Sequence, residues 1–141
     1  MKRLLSFWAA LWAGMVIGLS FIATPVKFQA PSLERIPAID VGRVTFGLFN
    51  KIELGMAAVM ILLALFSGFR LWRWAVALIV AGLVVAQGFW LMPGLEERSL
   101  AIIAGENPPP SSDHQLYGIL EITKVAVLIG TALLLGRRGR R

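Results

Sequence analysis

The chain has 141 residues, 57% of them hydrophobic and 16% charged, with a net charge of +6 and no cysteine. That length points to one domain, and a mean hydropathy of +0.75 with so few charges excludes an ordinary soluble domain and a disordered chain. Without cysteine there is no disulfide framework, no thiolate metal site and no cysteine nucleophile.

Four apolar stretches follow in chain order, at residues 4–26, 44–66, 71–92 and 116–135. Each is near the ~20 residues a helix needs to cross a ~30 Å hydrocarbon core. The apolar runs are continuous, not alternating, so they predict helices. The expected fold is all-α: a single four-helix transmembrane domain over residues 1–141, built as two tandem helix hairpins. Residues 27–43 and 93–115 form the outer loops, 67–70 the cytoplasmic loop and 136–141 a basic cytoplasmic tail.

The first stretch opens with Met1-Lys2-Arg3, as a signal peptide does. Its apolar run exceeds the 7–15 residues of a signal h-region. It also holds Trp8 and Trp12, and no small-x-small cleavage site stands before Pro25. It is therefore expected to be a retained span. Ala10, Gly14 and Gly18 give it a small-residue stripe suited to close helix packing, or alternatively to dimerisation.

Charge sets the direction. Lys2, Arg3, Arg70, Arg73, Arg137, Arg138, Arg140 and Arg141 lie at the two termini and the second loop, with no acidic residue among them. The first and third loops carry Lys27, Arg35, Arg43 and Arg98 against Glu34, Asp40, Glu96, Glu97, Glu106 and Asp113, a net −2. The positive-inside rule then places both termini in the cytoplasm. The net +6 is thus partitioned by topology, and no nucleic-acid role is expected. Within the third loop, residues 95–104 suit a short interfacial helix. Pro108-Pro109-Pro110 is a stiff spacer, and Ser112 with Gln115 resembles a capping box.

A hairpin repeat is also visible. Pro31-Ser32-Leu33-Glu34 matches Pro93-Gly94-Leu95-Glu96, and Phe46-Gly47-Leu48-Phe49 matches Tyr117-Gly118-Ile119-Leu120. Two tandem hairpins of equal orientation would be related by an axis along the membrane normal. The second helix carries Arg43, Phe46, Asn50 and Glu53, and the fourth His114, Tyr117, Glu121 and Lys124. Both sets fall at i, i+3, i+7, i+10, one face of a helix. In the repeat, Arg43 answers His114, Phe46 Tyr117, Asn50 Glu121 and Glu53 Lys124.

An ion at the bilayer centre costs about 2.5–3.5 kcal/mol. Glu53, Glu121 and Lys124 should therefore face the bundle interior, with Glu53 and Lys124 in direct or one-water contact. Lys51, about 200° round the helix from Glu53, should snorkel outward or pair with a neighbouring chain. Arg43, Asn50, Glu53, His114, Tyr117, Glu121 and Lys124 thus form an intramembrane polar cluster. It reads first as polar glue fixing helix register. The sharper alternative is a pocket in which Glu53 or Glu121 relays a proton, or in which the charges hold an amphiphile's head group.

Cofactor chemistry finds no support. One histidine cannot ligate haem in a pair, and Met15, Met56 and Met60 read as helix core, not as a copper(I) site. No metal ligands, no cofactor and no catalytic residues are assigned, and no enzyme motif is present.

The segments Pro25-Val26-Lys27-Phe28-Gln29-Ala30-Pro31, Val41-Gly42-Arg43 with Phe46, and Ser111…His114…Tyr117…Glu121…Lys124 resemble those of small bacterial four-helix membrane proteins without an assigned activity. More distantly, Gly18…Phe21…Pro25…Phe28 is similar to the transmembrane-protein-205-like family. The resemblance implies the fold and a bacterial inner-membrane location, and no reaction. The second histidine that copper-resistance-type and haem-handling four-helix relatives use is missing. The expected role is a non-catalytic accessory bundle that contacts membrane lipids, a larger membrane complex or further copies of itself. The alternatives are a small transporter or channel component using the charged stripe, and an accessory subunit of a membrane redox or transport complex.

Overall fold

Apolar runs bounded by prolines and glycines fold into four long helices in the computed structural model, which describes residues 1–68 and 70–138. Phe69 of the second loop and Arg140 and Arg141 of the basic tail lie outside the described residues. The helices are α1, Lys2–Lys27; α2, Arg35–Phe66; α3, Leu71–Ile103; and α4, Asp113–Arg138. No strand occurs among the described residues. All four helices are long and apolar enough to cross a membrane.

Each helix packs on the next in sequence, and α4 returns to α1, so the four close a ring. The widest interface joins α1 to α4, and the next joins α2 to α3. The core is the inner stripe of α1 (Leu5, Ala9, Trp12, Ala13, Val16) set against Met56, Met60, Val80, Val84 and Leu128. Met15 packs beside it, half-buried. Many large apolar side chains point outward instead, among them Phe66, Leu71, Phe89 and Trp90. An apolar exterior of this extent exceeds the patches that soluble monomers expose.

Two helices outrun their hydropathy. α2 begins at Arg35, not at residue 44, because Asp40 and Arg43 pair at i, i+3 along the helix at 2.8 Å and Pro37 occupies the first turn, where its missing N–H is harmless. α3 continues through residues 93–103, so the expected short interfacial helix is its extension. Pro93 does not end it, because the preceding turn, Gln87–Leu91, is a π-helix in which the Met92 N–H bonds the Gln87 carbonyl. α1 repeats the device: Ile17–Ala23 is π-helical, and Thr24 gives both its N–H and, at 2.8 Å, its hydroxyl to the Leu19 carbonyl, just before Pro25. Such adjustments re-satisfy backbone groups that proline leaves open.

A π turn precedes a proline in each of the odd helices. Pro25 lies inside α1 and Pro93 inside α3, each just after its π turn, whereas Pro31 lies in the turn between α1 and α2.

Within the bundle the small-residue stripe does not pack against another helix. Ala10 and Gly14 are exposed, Gly18 is half-buried, and open space lies where a Cβ would project from either glycine. Trp12 and its inner-stripe neighbours take the buried face, because the indole N–H seeks a partner in α2. The start of α4 differs as well. Ser111 Oγ, not the Ser112 hydroxyl, accepts from the Asp113 N–H at 3.1 Å, while the Ser112 carbonyl accepts from Leu116 at 2.9 Å.

Glycine closes α3. Gly105 has φ +85°, and the bonds Gly105 N–H to Ile102 O and Glu106 N–H to Ala101 O make a Schellman motif.

Candidate functional site

Lys124, on α4, is fully buried, and its ammonium reaches three acceptors: Glu53 Oε1 at 2.6 Å, Glu121 Oε1 at 2.6 Å and Gln87 Oε1 at 2.8 Å. An ammonium has three protons, so every one of them has a partner. Glu53 and Glu121 are 0% and 1% exposed. Glu121 accepts from Gln87 Nε2 at 2.8 Å on the same oxygen and from Ser20 Oγ at 2.6 Å on the other. Trp12 Nε1 donates to Glu53 Oε1 at 2.8 Å. All four helices therefore contribute: Trp12 and Ser20 from α1, Glu53 from α2, Gln87 from α3, Glu121 and Lys124 from α4.

The π turns carry two of these groups. Ser20 and Gln87 lie in the two π-helical segments, so the widened turns ahead of Pro25 and Pro93 deliver the two neutral donors to Glu121. Two carboxylates share one ammonium, and three neutral donors spread the remaining negative charge. Two atoms in this region have no hydrogen-bond partner: Glu53 Oε2 and the Tyr117 hydroxyl.

The other expected cluster members lie elsewhere. Asn50 is buried against α3, its amide 3.4 Å from the Val84 carbonyl and its Oδ1 where a Cβ on Gly88 would stand. Phe46 and Tyr117 meet edge to face with ring centroids 5.7 Å apart. Arg43 bonds Asp40 at 2.8 Å and Glu96 at 3.2 Å at the end of the bundle that carries the first and third loops. His114 is exposed there, and Lys51 is exposed on α2. The structure thus brings together Glu53, Glu121 and Lys124, keeps Tyr117 beside them, and separates Arg43, Asn50 and His114 from the ion network. Among the described residues, no three histidine or carboxylate side chains converge as metal ligands.

Sequence reasoning missed Trp12, Ser20 and Gln87. Each is a lone polar group in an apolar run and forms no stripe. The usable signals were Gln87, an amide inside a span that has no other, and Trp8 and Trp12, which share one face at i, i+4. Trp8 Nε1 also donates into α2, to the Met56 carbonyl at 3.1 Å.

Beyond the network, towards the first and third loops, lies a cavity of about 260 Å³ bounded by all four helices. Tyr117 and Phe46 line it, so the Tyr117 ring stands between cavity and network. Lys27, Arg43 and Arg98 also line it, with Glu96 as the one carboxylate, for a formal +2.

The chain belongs to the family described as a domain of unknown function (DUF4149), whose model matches residues 7–100. The match takes in α1, α2 and most of α3, and with them Trp12, Ser20, Glu53 and Gln87; Glu121 and Lys124 lie beyond it. No curated protein and no solved structure matches the chain.

Proposed function

We propose that this is a non-catalytic membrane bundle that acts by contacting lipids and partner proteins, and that its buried ion network fixes the packing of four helices. The observation that carries the reading is the closure of Lys124: all three ammonium protons are bonded, and neither it nor its carboxylates is open to either end of the bundle. An ion pathway needs water or a vacant ligand position along its course, and Lys124 offers neither. The network would then confer register, the best-attested use of buried polar groups.

The reading includes an inner-membrane location with both termini cytoplasmic, from the one-sided cations. Membrane lipids are the first partners, and a larger complex or a second copy the next; nucleic acid and cofactors have no place in it. It also includes the distant likeness to the transmembrane-protein-205-like family and the hairpin repeat. The repeat is supported by the contacts Phe46–Tyr117 and Glu53–Lys124 between equivalent positions, and by π turns preceding Pro25 and Pro93.

A second reading, a small transporter or channel component, is favoured by one feature: Glu53 Oε2 and the Tyr117 hydroxyl are buried without partners, and Tyr117 borders the cavity. Proteoliposomes carrying a pH-sensitive dye separate the two. The structural reading expects no proton or monovalent-cation flux above empty liposomes. Flux that Glu53→Gln abolishes would replace it with the transport reading.

A further inference from the structure

We infer that the outer-end cavity holds the phosphate head group of an anionic phospholipid, whose acyl chains run down the apolar outside of the bundle. This rests on the lipid-contacting reading above and names the lipid class and the site.

The charges are arranged for an anion. Arg43 is already neutralised by Asp40 and Glu96. Lys27 and Arg98 are not: among the described residues neither has a carboxylate partner. Arg98 lines the cavity while its guanidinium bonds the carbonyls of Pro108 and Pro109 in the third loop, neutral acceptors that leave its charge uncancelled. Lys27 lies over the Phe28 ring, 5.1 Å from its centroid, and against the backbone of α2 at Gly42, where a Cβ would collide with its ammonium. The glycine therefore makes the room in which Lys27 turns into the cavity instead of out to water. An unpaired cation half-buried at a membrane surface attracts an anionic head group.

Shape agrees with charge. At about 260 Å³ the cavity has room for a phosphate head group. Its walls include Phe46, Leu95 and Ile102. Phe28, which lines the cavity, is about half exposed, as is Val26 two residues before it on α1, so apolar surface on which a chain can lie flanks the cavity. A freely soluble anion would gain nothing from that surface, which is why the lipid is the occupant.

Native mass spectrometry of the intact chain, released from micelles doped with equal phosphatidylglycerol and phosphatidylethanolamine, tests this. Wild type should retain phosphatidylglycerol preferentially. Lys27→Gln and Arg98→Gln should each reduce that preference about fivefold, the worth of one cation near an anionic surface. Leu95→Trp, which fills the cavity without changing a charge, should lower retention as well. Lys2→Gln with Arg3→Gln, at the opposite end, should leave it unchanged. A preference indifferent to Lys27, Arg98 and Leu95 overturns the inference, as does release of the lipid by millimolar inorganic phosphate, which would make the ligand a soluble anion. Lipid retained without head-group preference defeats the inference and leaves the lipid-contacting reading standing. An intact chain that retains no lipid at all defeats both.

Discussion

Lys124 Nζ sits 2.6 Å from Glu53 Oε1, although the two helices that carry them, α4 and α2, face each other diagonally across the ring. The long lysine side chain spans the bundle and meets the acid in its centre. Around that contact Trp12, Ser20, Gln87 and Glu121 supply the remaining hydrogen bonds, so one ion pair draws on every helix.

Removing one charge from this contact should be worse than removing two. Lys124→Met leaves two buried carboxylates without their cation and should cost about 3–5 kcal/mol. Glu53→Gln with Lys124→Met leaves a single acid that keeps Ser20 and Gln87 as donors, and should cost less than Lys124→Met alone. Reversible unfolding in detergent measures both. A double variant weaker than the Lys124 single variant would show that the pair is not the unit.

Gly88 should be intolerant for a steric reason. A Cβ there would overlap Asn50 Oδ1, so Gly88→Ala must push the Asn50 side chain from its buried place. Overpacking of this kind costs about 1–3 kcal/mol. Shortening the obstruction with Asn50→Ala should recover most of the lost melting temperature, and failure to recover would place the strain elsewhere.

The sequence made the four long apolar helices legible because their length is written in hydropathy, and it made the Glu53–Lys124 contact legible because buried ions must find each other; Phe46 and Tyr117 stood in it only as equivalent positions, and their ring contact had no signal. It did not reveal where the helices end. Asp40, Arg43 and residues 93–103 are polar enough to break an apolar run, yet hydrogen-bond continuously as helix. Nor did it reveal the inner face of α1. Small residues at 10, 14 and 18 look like a packing stripe, but the indole of Trp12 is worth more inside, where Glu53 accepts its proton. Ser20 and Gln87 were hidden because only the π turns bring them to Glu121. A proline predicts that a helix must adjust, not which side chain the adjustment turns inward.

Orientation is open to direct measurement. Reporter fusions after Arg141 and between Ser67 and Arg73 should score as cytoplasmic, and fusions between Gly105 and Ser112 as external, because the cations are one-sided. An external C-terminus would move the cavity to the cytoplasmic leaflet.

The claim that the network is structural is tested most directly by Glu121→Gln, measured for cellular abundance and for rescue of a deletion strain. The amide oxygen can still accept from Lys124 and Gln87, its new N–H can donate to Ser20 Oγ, and Glu53 and Lys124 remain as a neutral pair. The predicted result is a loss of about 1 kcal/mol, as for other polar contacts within membranes, with any defect in rescue proportional to the fall in abundance. Normal abundance combined with the full deletion phenotype would contradict the account and make Glu121 a functional acid.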